Sequence, residues 1–336
     1  MVPLLAVACT GLVLLATAVN FLVTAVIKFA QRLQSDLGAP IKVTLEDFAS
    51  LSPPPAPSVF SPATKSLSIV VPAYNEEDRL AATLDETISY LQQRRNKQGP
   101  HFTYEIIVVD DGSKDGTVRV ASKYVERHGF DAVRVLRVSK NCGKGHAVRR
   151  GMCIARGEAL LLMDADGATR VSDLGLLEDA LSKVQRASTA GEPPSPSPPT
   201  ASSSAPLLPH SPPLLGCAFG SRAHLQRAAM ARRSRLRNFL TQGFHACVTL
   251  VAGARIRDTQ CGFKLFTRAA AATLFGNQRL QRWCFDVELL YLAEQLDIPV
   301  AEVPVHWTHT HTHTHSHTNT HTRTRTRTQL DIPVAE

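Results

Sequence analysis

"LSIVVPAYNEEDRLAATLDETISYLQQRR", residues 67 to 95, settles the fold class. Its first half is a short apolar run rich in β-branched residues and ends at Pro72. Its second half repeats apolar residues at helical spacing from Leu80 to Leu91. A buried strand passing directly into an amphipathic helix is one βα unit. The pattern then recurs. "YEIIVVDDGS" (104–113) is a strand and "DGTVRVASKYVERHG" (115–129) a helix. "AVRVLRVS" (132–139) is a strand and "GKGHAVRRGMCIARG" (143–157) a helix, followed by the strand "ALLLMDAD" (159–166). Strands that alternate with helices predict a mostly parallel sheet covered by crossover helices. Ligands of such sheets bind beyond the carboxyl ends of the strands. The polar residues of interest all sit at those ends.

Working outward, residues 1–28 hold an apolar run long enough to span a bilayer as a helix. It lacks a basic leader and continues past the A-x-A at Ala16 to Ala18, so an uncleaved transmembrane anchor is expected rather than a signal peptide. Lys28 and Arg32 follow it, which predicts a cytosolic catalytic domain. Residues 29–65 read as a linker and 66–308 as the catalytic domain. A Pro/Ser-rich insert at about 188–213 has no apolar periodicity and is expected to stay disordered, between a helix near Leu174 to Val184 and the strand "LLGCAFGSR". Residues 309–336 form a Thr-His/Thr-Arg tail ending in "QLDIPVAE", a copy of 295–302. Alternating Thr and His is what an (AC)n repeat encodes. The first copy is therefore expected to hold the native strand position.

The net charge is +8. That modest surplus, with no nucleic-acid-binding motif, suits a membrane surface or a phosphate-bearing substrate and excludes a dedicated nucleic-acid binder. The seven cysteines are scattered without a C-x-x-C pair. They read as thiols in a reducing compartment.

Four motifs carry chemistry. Asp164 and Asp166 follow an apolar strand, where charge is unfavourable unless something binds it. A calcium loop would need a late Glu that is missing. A dehalogenase-like phosphatase would open its domain with this motif, and helix capping is the plain structural reading. The remaining reading is a D-x-D that holds a divalent cation and, through it, a diphosphate. "VVDDGSKDGT" offers Asp110 and Asp111 at a βα turn, as capping residues or facing a nucleoside. "NCGKGHAVRRG" fails the P-loop spacing. Its backbone N–H groups and Lys144 still suit a phosphate. "RRSRLRNFLTQGFHACVTLVAGA" is basic, then apolar, as an interfacial helix is.

Taken in order, "VVPAYNEE", "VVDDGSKDGT", "NCGKGHAVRRG" and "LLMDADGAT" resemble the family-2 inverting glycosyltransferases of GT-A (Rossmann-like) fold. "FGSRAHL", "ARRSRLRNFLTQGFH", "RIRDTQCGFKLFTR" and "RWCFDVELLYLAE" narrow the likeness to the dolichyl-phosphate β-glucosyltransferases of the endoplasmic reticulum. The likeness covers roughly residues 1–308 apart from the insert. The insert and the repeat tail depart from it. It implies glucose transfer from UDP-glucose to dolichyl phosphate, with inversion, for N-glycan precursor assembly. It further implies Mg²⁺ or Mn²⁺ on Asp164 and Asp166, and the donor nucleotide-sugar near Pro72, Tyr74, Glu76, Asp110, Asp111 and Lys144. Arg222, Arg233 and Arg237 would meet the acceptor phosphate. Asp258, Gln260, Asp286 and Glu288 fall in the acceptor-side and catalytic strings, with Asp258 and Asp286 as the catalytic candidates. Two other classes stay open here: another prenyl-phosphate glycosyltransferase, such as a mannosyl enzyme, or an inactive membrane-bound chain with an altered C-terminus.

Overall fold

The computed structural model describes residues 43–46, 57–190, 215–223, 256 and 258–308. The anchor at 1–28, the tail at 309–336, the insert from 191 to 214 and both Arg233 and Arg237 lie outside them. Among the described residues no helix is long and apolar enough to cross a membrane.

The expected βα units are present. They are β2 (Lys65–Ala73), α1 (Glu77–Gln98), β3 (Tyr104–Asp110), α2 (Thr117–His128), β4 (Val133–Val138), α3 (Lys144–Cys153) and β5 (Gly157–Met163). After them come α4 (Leu174–Ala190), β6 (Cys217–Ser221), β7 (Phe263–Thr267), α5 (Arg268–Asn277), α6 (Phe285–Gln295) and β8 (Val300–Pro304). With the edge strand β1 (Val43–Glu46), the eight-stranded sheet has the order β1-β4-β3-β2-β5-β7-β6-β8. β1 and β7 run against their neighbours, and the other pairings are parallel. This is the mostly parallel, helix-flanked α/β sheet expected of a GT-A-like fold.

Consecutive residues Ile69, Val70 and Val71 are all fully buried, so the sheet is covered on both faces. On one face Val148 and Met152 of α3 pack with Leu274 and Phe275 of α5 and Leu289 of α6. On the other, Leu80 and Leu84 of α1 pack with Val125 of α2 and Leu177 of α4. α1 carries Glu77 and Asp78 in its first turn and Arg95 and Lys97 in its last, which suits the helix dipole at both ends.

Three boundaries differ from the sequence reading. The 29–65 linker contains β1, an antiparallel edge strand pairing Val43 with Val138. Four residues flanked by uninformative sequence give no periodicity to detect. α4 runs to Ala190, so positions 188–190, assigned to the insert, continue a helix. Of the first "QLDIPVAE", only Val300 to Glu302 enter the sheet, pairing in parallel with β6. Its Gln295 ends α6. The second copy lies outside the described residues.

Candidate active site

β3 and β4 lie on one side of β2, and β5 on the other. The chain therefore reverses its direction of winding at β2, and the carboxyl ends of β2 and β5 diverge there. Such a switch point is where an open α/β sheet leaves a crevice. A cleft of about 440 Å³ occupies it. Pro72, Tyr74 and Glu76 enter it from the end of β2, Asp164 and Asp166 from the end of β5, and Asp111 and Lys144 from the two neighbouring βα turns.

The acids are tightly held. Lys144 Nζ stands 2.6 Å from Asp164 Oδ1. Asp166 Oδ1 accepts from the backbone N–H of Ala168 at 3.0 Å, across a turn in which Gly167 has φ +66°. Glu76 Oε1 accepts from Arg79 Nη2 at 2.7 Å. Burial pushes the Glu76 carboxyl above its ordinary value. Arg79 opposes that, and the charges of Asp166 and Asp164 add to it. Burial pulls the Lys144 ammonium down, yet Asp164, then Asp286 and Asp166, raise it above its ordinary value. The site thus gathers excess negative charge on hard oxygen donors, a set that fits Mg²⁺ or Mn²⁺. Gly262 completes the cradle. A Cβ there would overlap the Asp164 carboxylate.

The paired acids of "DDGS" divide their work. Asp110 is 1% exposed and does not line the cleft. Its Oδ1 accepts from Ser113 N–H at 3.2 Å, and its Oδ2 is buried without a hydrogen-bond partner. Asp111 grips the glycine-rich loop instead, accepting from Cys142 N–H at 2.9 Å and Gly143 N–H at 2.7 Å. That grip sets the start of α3, and with it Lys144.

The second half of the chain supplies two ion pairs. Arg222 clasps Asp258 with Nε to Oδ2 at 2.8 Å and Nη2 to Oδ1 at 3.1 Å. Its guanidinium also lies 5.4 Å from the Trp307 ring centroid. Burial raises the Asp258 carboxyl, but Arg222 outweighs it and holds the group below its ordinary value. Both Asp258 oxygens are thus taken by Arg222, and neither residue lines the cleft. Asp258 here positions an arginine. Gln260 donates its backbone N–H to Asp258 Oδ1 at 3.3 Å. In the other pair, fully buried Lys264 on β7 donates to Asp286 Oδ1 and, at 2.7 Å, to the carbonyl of Cys261.

Glu288 accepts from the backbone N–H groups of Arg279 and Leu280 at 2.7 and 2.8 Å. It so fixes the loop that brings Arg282 and Trp283 into the cleft. Gln281 O accepts from His146 N–H at 2.6 Å, tying that loop to α3. The sequence reading missed Lys264, Arg282 and Trp283. Lys264 was detectable as one charge inside the apolar strand "FKLFT". Arg282 and Trp283 open the string "RWCFDVELLYLAE", but no role was read for them. None of the five described cysteines is in a disulfide.

The sequence profile of glycosyl transferase family 2 matches residues 68–248. A dolichyl-phosphate beta-glucosyltransferase of Homo sapiens is 48% identical over 252 residues, covering 75% of this chain and 70% of the human protein. One of Drosophila melanogaster is 49% identical with the same coverage. Among solved structures, glucosyl-3-phosphoglycerate synthase from Mycobacterium tuberculosis in complex with Mn²⁺, UDP-glucose and phosphoglyceric acid gives a TM-score of 0.37. It is 17% identical and covers 72% of this chain and 71% of that one. With near-half identity carried across most of both chains, this protein belongs to glycosyl transferase family 2, in the branch of the dolichyl-phosphate beta-glucosyltransferases.

Proposed function

We propose that the enzyme transfers glucose from UDP-glucose to dolichyl phosphate with inversion at the anomeric carbon. The observation that carries this reading is the cluster of Asp164, Asp166 and Lys144 at the switch-point cleft, in a chain so close to enzymes of that name. A phosphate oxygen of the acceptor attacks the anomeric carbon from the face opposite UDP. The new carbon–oxygen bond forms as the bond to the diphosphate breaks, and UDP leaves with the electron pair. The nucleophile is already anionic near neutral pH, so it needs placement more than a strong base. Arg222, fixed by Asp258, and Arg233 and Arg237 are assigned to the acceptor phosphate. Pro72, Tyr74, Glu76 and Asp111 border the donor, and Lys144 faces its diphosphate. Asp110 supports that border from beneath the turn. Asp286, held by Lys264, is placed near the reacting carbon. A divalent cation bound by Asp164 and Asp166 supplies charge stabilisation for the departing diphosphate.

The test is a donor comparison in detergent with dolichyl phosphate as acceptor. UDP-glucose should give dolichyl glucosyl phosphate, with β configuration by NMR, and GDP-mannose should give nothing. Mannosyl product, or retention of configuration, overturns the reading, and no product from either donor favours the inactive-chain alternative.

We further propose that residues 1–28 anchor the chain in the endoplasmic reticulum membrane with the catalytic domain in the cytosol, on the strength of Lys28 and Arg32. Protease added to sealed microsomes should then digest the domain. Complete protection would place it in the lumen.

A further inference from the structure

At the edge of the donor cleft, Asp111 also belongs to a second set of metal-binding groups, whose other two members, Cys142 and His146, have no part in the chemistry above. A carboxylate oxygen of Asp111, the Sγ of Cys142 and a ring nitrogen of His146 all lie within 4.8 Å of one another. The three side chains come from the end of β3, the glycine-rich loop and the first turn of α3. All three are buried, at 3%, 6% and 4% exposure. The Nδ1 of His146 is buried without a hydrogen-bond partner, an arrangement native interiors rarely leave unanswered.

We propose that Asp111, Cys142 and His146 bind a thiophilic divalent cation such as Zn²⁺, and that its binding lowers sugar transfer.

The donor chemistry separates this place from the Asp164–Asp166 pair. One sulfur, one imidazole and one carboxylate suit zinc, whereas Mg²⁺ prefers oxygen alone. Ligand atoms around tetrahedral zinc stand roughly 3.5 Å apart, so side-chain rotation has about 1 Å to close. Burial, with Arg150 and Arg149, lowers His146 to about 4. Its imidazole is therefore neutral near pH 7, the form that ligates. Arg150 Nε stands 3.3 Å from His146 Nε2. Its side chain reaches solvent, which lets it swing aside when the ring turns to an ion. The Cys142 thiol now donates to Lys140 O at 3.2 Å. On binding, the S–H bond breaks, a sulfur–zinc bond forms and one proton passes to solvent, so affinity rises with pH. A water takes the fourth position.

The link to activity is Asp111. Its oxygens hold the N–H groups of Cys142 and Gly143, and Gly143 and Lys144 line the cleft. An ion drawing on Asp111 shifts the loop that presents Lys144.

The test uses the full chain in detergent, stripped with EDTA and returned to excess Mg²⁺, with Co²⁺ as the spectroscopic probe. One equivalent should produce a thiolate-to-cobalt absorption band. Cys142→Ser should lose that band, and His146→Gln should lose the tetrahedral visible bands. Zn²⁺ should displace the cobalt and inhibit the parent enzyme. Cys142→Ser should keep its Mg²⁺-supported activity and resist that inhibition. Absence of the band in the parent, its persistence in Cys142→Ser, or equal zinc inhibition of both proteins overturns the proposal. If Cys142→Ser fails to melt cooperatively, His146→Gln alone decides by the same readings.

Discussion

Asp164→Asn is expected to lower sugar transfer by about 10²- to 10⁴-fold, because a lost metal ligand removes several kcal/mol of charge stabilisation at about 1.4 kcal/mol per tenfold. Stability should hardly change. The Asp164–Lys144 pair is partly open to water, with side chains 33% and 28% exposed, and such pairs contribute about 0–1 kcal/mol. Gly262→Ala should imitate the loss while leaving every carboxylate in the sequence, because its Cβ would overlap the Asp164 carboxylate. Turnover measured against Mg²⁺ and Mn²⁺, beside a thermal melt, checks both. Near-normal turnover in Asp164→Asn would remove Asp164 from the metal site.

Lys264→Met should act mainly on stability. The ammonium is fully buried, shared between Asp286 and the Cys261 carbonyl, and 5.3 Å from the Phe219 ring. Removing one member of a buried pair costs about 3–5 kcal/mol, which lowers Tm by roughly 10 °C in a domain of this size. Adding Asp286→Asn should recover part of that loss, because the stranded charge then disappears. Activity should not return with it, since Asp286, whose charge reaches Lys144, is proposed to lie near the reacting carbon. Calorimetry of the two single variants and the double variant completes the cycle. A Lys264→Met protein as stable as the parent would mean that the pair is not buried as described.

The sequence showed the frame of the site better than its back wall. The βα units were legible because each strand is a short, mainly apolar run, interrupted only by groups such as Glu105 and Arg134, and each helix repeats at its own period. Asp164, Asp166, Glu76, Asp111 and Lys144 were legible because polar groups follow those strands directly. Asp258, a catalytic candidate by resemblance, clasps Arg222, which precedes it by 36 positions. No local pattern announces such a pairing. Lys264 and Gly262 matter for the same reason. Their importance comes from the antiparallel register of β7 on β5, which aligns Phe263 with Met163 and so sets Gly262 against Asp164.

That register also has a consequence for synthesis. About a hundred residues separate Met163 from Phe263. At ribosomal rates of roughly 5–20 residues per second, β5 waits about 5–20 s for its outer neighbour. Throughout that interval the strand carrying the D-x-D is a hydrophobic edge with unpaired backbone groups, which is a template for wrong partners. The outer edge of the catalytic strand is therefore open to wrong pairing for as long as those hundred residues take to be made.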